Sequence, residues 1–204
     1  MENQTYLIRS EKQLAALRAA ARQEIVDVLA QLGTVSVAEL AAALSRPADA
    51  LYFHLRALSR ARLVRNAGYR SRPGGKEALY CTVAPDLKLQ YEPRNAPNRR
   101  AVSGIVASML RLAIRDFRGA FQRGTVVVSG PRRELWALRK AGRFSATQLA
   151  QVNRRIQGLA DAVCAPRRRG RLYAVTVVLT PLDHRRKADR TKKRKSNTNG
   201  GRKR

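Results

Sequence analysis

The chain has 204 residues, 44% of them apolar, enough for one large domain or two small ones with real cores. Lysine and arginine total 42 against 14 acids, a formal net charge of +28, and such a field attracts polyanions, nucleic acid foremost. No apolar run reaches the roughly 18 residues of a spanning helix and the first residues lack the pattern of a secretory leader, so the expectation is a cytoplasmic, nucleoid-associated protein of bacterial type with no membrane partner.

The elements follow in chain order. Leu14, Leu17, Ala21, Ile25, Val28 and Leu32 recur at spacings of three and four, an apolar helical stripe with a possible break near Ala20, and Gly33 ends it. Ser36 to Glu39 has the pattern of a capping box, with Val35 and Leu40 as its hydrophobic staple, so a short helix is expected to about Leu44. Pro47 then opens a second helix, since proline costs nothing in a first turn. Its apolar face is Leu51, Leu55, Leu58 and Arg62, with Ala50, His54 and Ala61 at the margins. Leu63–Arg65 and Ala78–Val83 are expected strands around a tip, Gly68–Lys76, rich in glycine and containing Pro73.

Residues 85–100, with three prolines and two asparagines, are expected to be a linker. From Ala101 a helix turns Val102, Ile105, Val106, Met109, Ala113 and Phe117 inward, with Arg111, Arg115 and Arg118 on a solvated face. Thr125–Val128 and Glu134–Arg139 are candidate strands. Phe144 to Leu149 repeats the cap-and-staple pattern ahead of a helix with Leu149, Val152, Ile156, Leu159 and Val163 at near-heptad spacing. Arg171–Thr180, rich in β-branched residues, is the clearest strand. Residues 185–204 carry 11 basic residues and one acid and are expected to be disordered; the first 184 residues still hold +18, so the folded part must present basic surface as well.

The fold class expected is α+β: a winged helix-turn-helix domain over residues 1–84, the linker, a smaller helix-and-strand module over 101–184 for dimerisation or effector sensing, and the basic tail. In the first of these a capped helix, a tight turn, a second helix and a two-stranded wing stand in order. A second helix of this kind fits the DNA major groove, about 12 Å wide, and a basic hairpin beside it reaches phosphates. The candidate DNA-binding residues are Ser36 and Arg46 at the helix starts, Asp49, Tyr52, Phe53, His54 and Arg56 on the second helix, and Arg70, Arg72 and Lys76 on the wing. Against these stand plainer roles: His54 as a packed histidine, Tyr52 or Phe53 as cover for a neighbouring helix, and the wing arginines as a solvated hairpin. Two adjacent aromatics cannot both face one core on a helix, so at least one is expected to be exposed.

Leu51 to Leu58 (Leu-Tyr-Phe-His-Leu-Arg-Ala-Leu), followed by Ala61-Arg62-Leu63-Val64, resembles the recognition-helix motif of ArsR-type winged-helix regulators. Leu17 to Ala19 and Arg22 to Leu29 resemble the helices that precede it, and the resemblance covers roughly residues 6–84. It implies a homodimer on a two-fold-related operator, usually a repressor, with a possible small-molecule effector. Two departures matter. Arg62 stands where that family often has glycine, and Ala48–Leu55 contains no cysteine, so thiolate-metal sensing is not implied. Residues 101–184 bear a looser likeness to the helix-then-strand module of some such regulators.

No metal or other cofactor is expected: His54 and His184 stand alone, and Cys81 and Cys164, outside any CxxC, read as small buried side chains. Catalysis is not expected either. There is no GxSxG, no HExxH and no phosphate-cradling loop after a strand; Gly124–Gly130 is only a glycine-flanked strand pattern. The alternative kept beside the regulator is a sequence-nonspecific nucleic-acid-binding or architectural protein using the same charge.

Overall fold

A computed structural model describes residues 5–164 and 170–182. The amphipathic stripe near the N-terminus is two helices, α1 (Glu11–Leu17) and α2 (Ala20–Leu32). Ser10 and Gln13 form a capping box at the start of α1, and Gly33, at φ 76°, closes α2. A two-residue strand, β2 (Val35–Ser36), leads into α3 (Val37–Leu44), and α4 (Ala48–Arg60) follows. The Ser36 hydroxyl accepts from the Glu39 amide while the Glu39 carboxylate accepts from the Ser36 amide, at 3.2 and 2.8 Å, so the expected capping box is present.

The wing is β3 (Val64–Arg72) and β4 (Gly75–Thr82), antiparallel, with β2 on the far edge of β4. Both strands run farther than their apolar content suggested, and only Pro73 and Gly74 remain as the turn. Proline presets the first turn position and Gly74, at φ 98°, supplies the left-handed second, which lets Arg72 pair with Gly75.

The segment expected as a linker is built in. Strand β5 (Asp86–Leu89) pairs in parallel with an N-terminal strand, β1 (Thr5–Ile8), which had no counterpart in the sequence reading. Helix α5 (Ala96–Gln122) begins five residues earlier than expected. Its asparagines and prolines are helix-start chemistry: Asn95 caps the Asn98 amide, Pro97 lies in the first turn, and Asn98 bonds the Gln90 carbonyl and the Glu92 amide.

One core joins α1 to α4, the base of the wing, Ile8 and the first half of α5 through Leu14, Ile25, Leu29, Leu40, Leu51, Leu55, Leu58, Leu63, Val102 and Ile105. Buried Gln23 ties three helices together by donating to the Leu17 and Ile105 carbonyls. The second half of α5 leaves this core. Phe117, expected inside, lies exposed and stacks on Phe121 at 6.0 Å.

Beyond α5 the sequence expectations hold for the helix and fail for the strands. Helix α6 (Ala146–Cys164) starts at the expected box, with Ser145 and Gln148 exchanging bonds of 3.2 and 2.9 Å. Among the described residues, 125–128, 134–139 and 171–180 run without any strand ladder, and no side chain of α6 is buried. Strand pairing needs a neighbour, and this stretch of chain supplies none to itself. Cys81 is buried as expected, but Cys164 is exposed at the end of α6. The basic run 185–204 lies outside the described residues, as do residues 165–169.

Candidate nucleic-acid interface

The site is built on α4, which is held by its two ends and one face. At its start, Ser45 closes α3 in the left-handed region (φ 51°), with its amide on the Ala42 carbonyl and the Arg46 amide on that of Ala41. At its end, Arg62 takes φ 56°, with its amide on the Ser59 carbonyl and the Leu63 amide on that of Leu58. Both are Schellman closures, which glycine usually serves. Arg62 therefore adopts the glycine-like conformation, and its side chain is exposed where the sequence reading had placed it on the apolar face. Between the two ends Leu51, Leu55 and Leu58 are sealed in the core.

The opposite face carries Asp49, Tyr52, Phe53, Arg56 and Arg60, all exposed. Tyr52 is 49% exposed and Phe53 70%, so both adjacent aromatics stand in solvent. Between this face and the root of the wing lies a cleft of about 310 Å³ lined by Tyr52, Leu55, Arg56, Ser59, Asn66 and Tyr80. A cleft of this kind, walled by a phenol, a guanidinium and an amide, offers donors and acceptors suited to base edges or phosphates.

Four of the candidate residues sit elsewhere than a contact face requires. Ser36 is 1% exposed and its hydroxyl is occupied by the cap, so it is scaffold and not contact. Arg46 lies against α2, its Nη2 at 2.5 Å from the Glu24 carboxylate, whose other oxygen receives Arg115 of α5 at 2.5 Å. Arg115 pairs with that carboxylate while staying on the solvated face expected of it, with nearly half of its side chain exposed. His54 is half-buried with its ring edge-on to Phe53 at 5.5 Å, and burial, then the charges of Arg22 and Arg46, push its pKa down, which favours the neutral ring. Arg70 reaches Glu39 and Glu77, each at 3.0 Å, which fastens the wing to the cap of α3.

Arg72 pairs with Glu77 at 2.9 Å but keeps half of its side chain exposed. Lys76 at the tip is exposed, with no carboxylate partner among the described residues. The Ser36 amide first, then Arg70, hold the Glu39 carboxyl below the ordinary glutamate range. The structure thus brings Asp49, Tyr52, Phe53 and Arg56 together on one helix face, with Arg72 and Lys76 on the hairpin beside it.

Three contributors escaped the sequence reading. Asn66 enters the cleft from the wing root, and its placement depends on a bulge between Asn66 and Gly68, where its side chain accepts from the Gly68 amide at 2.7 Å. Tyr69 is exposed on the wing. Glu77 is the clamp for two arginines; its register opposite Arg70 becomes visible once the turn is known to be two residues long.

A family model described as a helix-turn-helix domain matches residues 19–66, from the residue before α2 through the wing root. The chain carries a helix-turn-helix domain. That domain type belongs to DNA-binding regulators, and the order α2, α3, turn, α4 found here is its geometry. No curated protein matches the chain. Among the described residues no helix is long and apolar enough to cross a membrane, and no three His, Cys, Asp or Glu side chains stand together as a metal set.

Proposed function

We propose that the chain is a sequence-specific transcriptional regulator, a dimeric, cytoplasmic repressor of the ArsR type acting on double-stranded DNA. The observation that carries this reading is the two-sidedness of α4. One side is sealed by Leu51, Leu55 and Leu58, while the other holds Tyr52, Phe53 and Arg56 in solvent beside a basic hairpin. Exposed aromatic surface next to a guanidinium gains from a partner with stacked bases and methyl groups, and a helix of this diameter enters a major groove about 12 Å wide. Arg56 and Tyr52 would address base edges, and Arg72 and Lys76 the phosphates. A dimer would set two α4 helices about one DNA turn, roughly 34 Å, apart. Repression would be steric, and a small effector bound by the C-terminal module would shift affinity.

The test is selection of genomic fragments by the purified chain at about 150 mM salt, where nonspecific binding is weak. Enrichment of a few two-fold-related sites is expected. Arg56→Ala should then cost about 1–3 kcal/mol at the preferred base and relax discrimination there, while Lys76→Ala should weaken all sequences alike. Binding with no enrichment would overturn the regulator and leave a nonspecific, architectural nucleic-acid binder, the reading that the charge of +28 favours by itself.

A further inference from the structure

Residues 124–182 hold more uncovered apolar surface than their own chain can use. Along α6, Leu149, Leu159 and Val163 are exposed and Val152 and Ile156 only half-covered. Trp136 and Leu138 are 67% and 72% exposed. From Leu172 to Leu182, Leu172, Tyr173, Val175, Val177, Val178, Leu179 and Leu182 are each 36–52% exposed, spread over both faces of an extended segment. Among the described residues no backbone group of 171–182 bonds another backbone group.

The segments are nonetheless gathered. The Glu134 carboxylate accepts from the Val127 amide (2.9 Å), the Tyr173 hydroxyl (2.7 Å) and the Arg171 guanidinium (2.7 Å), and the Glu134 amide donates to the Val127 carbonyl (2.7 Å). Three extended stretches therefore meet at one end with their ladders unmade.

We propose that a second copy of this chain completes this module. The 124–139 and 171–182 segments of two protomers would form one sheet across a two-fold axis, with the α6 stripes packed on it. This deepens the dimeric reading given above and rests on it.

Area favours a partner of this size. A compact chain of 22.7 kDa shows about 9,500 Å² of surface, and this one shows 16258 Å². A fully extended allowance of about 5,500 Å² for the residues outside the described ones still leaves roughly 1,250 Å² per protomer uncovered. Two such surfaces make about 2,500 Å², inside the range of obligate dimers.

Charge does not oppose a copy along one strand of the seam. Leu172–Leu182 contains no charged residue, so pairing it with its own duplicate sets no like charges opposite each other despite +28 on each chain. In the 124–139 segment Arg132, Arg133 and Arg139 stand beside Glu134. The N-terminal apolar stripe does not offer such a surface: Leu14, Leu17, Ile25 and Val28 are buried inside the protomer, with Leu32 exposed at its end.

The experiment is sedimentation equilibrium of the full chain without DNA, joined to amide hydrogen exchange. The expected mass is twice 22.7 kDa, with amides 172–180 slowed at least about 100-fold at dimer concentrations. Val177→Asp, at an exposed site outside the core, should weaken association at least about 100-fold by burying a charge in the seam, with the far-ultraviolet circular dichroism of the helices kept. A single-chain mass at every concentration overturns the inference, whether or not some other protein covers the surface. So does a dimer in which amides 172–180 exchange unprotected, or one that Val177→Asp leaves intact. The operator selection is scored separately: a dimer of this kind without site enrichment sinks only the regulator, and a site-selecting monomer sinks this proposal together with the dimeric part of the reading above, leaving a sequence-specific DNA binder.

Discussion

Residues 5–122 and 124–182 are written in the same style and end in different states. Each has a capping box that forms, Ser36 with Glu39 and Ser145 with Gln148, in near-identical geometry. Each has a helix with an apolar stripe and segments rich in valine and leucine. In the first, the stripe of α4 meets α1, α2, α3 and the wing, and its leucines vanish from the surface. In the second, the stripe of α6 meets almost nothing and every side chain stays at least partly in solvent. Local signals thus suffice to start a helix, whereas burial is a property of several elements meeting at once.

The sharpest test of that difference is truncation of one leucine on each side. Leu55→Ala should lower stability by about 2–5 kcal/mol in denaturant unfolding, with no dependence on protein concentration. Leu159→Ala should leave that transition in place and act only through the association of chains. If Leu159→Ala lowered the midpoint of the concentration-independent transition as much as Leu55→Ala, the two regions would be one cooperative unit and the contrast would be lost.

The paired caps give a second, smaller comparison. Ser36→Ala should cost about 1 kcal/mol of global stability, since its helix is locked into the core. Ser145→Ala should fray the start of α6, visible in helical circular dichroism, without shifting the unfolding of residues 5–122. A smaller change of opposite sign is expected at Arg62, where glycine adopts φ 56° without the Cβ penalty. Arg62→Gly should raise stability by up to about 1 kcal/mol, offset in part by the greater freedom of glycine in the unfolded chain.

The smallest effect is in pH. Glu39 and Glu134 both have carboxyls held below the ordinary range, Glu39 by the Ser36 amide and then Arg70, Glu134 by the Tyr173 hydroxyl and then the Val127 amide. A lowered folded-state pKa contributes stability at neutral pH, which fades as acid begins to protonate the unfolded glutamate, near pH 4.3, and is gone below the folded value. For Glu39 the loss should appear in the unfolding of the winged domain, and Glu39→Gln should flatten that slope. Acid titration of Glu134 should leave the same transition unmoved.

The same contrast explains what could be foreseen. The helices of the winged domain and the box of α6 were legible because caps, staples and three-to-four spacings are written within a few residues. That Arg62 stands where glycine is usual was legible only through the family resemblance, and its exposure was not, because helical spacing had placed it on the apolar face while its φ of 56° turns it away. The β1–β5 pair was not, since four-residue strands joined across most of the domain leave no local pattern. Residues 85–100 misled because Asn95 and Pro97 serve loops and helix starts equally. On α4, helical geometry required at least one of Tyr52 and Phe53 to be exposed, and the structure exposes both. The engagement of Arg46 with Glu24 and of Arg70 with Glu39 did not, because partners 22 and 31 positions away become neighbours only after the core has formed.

Because α4 is fixed by two backbone closures, at Ser45 and Arg62, and by three leucines on its hidden side, its placement rests mainly on groups away from its outer face. Positions 49, 52, 53 and 56 can therefore drift in sequence while the helix stays in place. A lineage built on this frame could change what it recognises by surface substitutions alone, each tried without risking the fold, and an engineer could do the same.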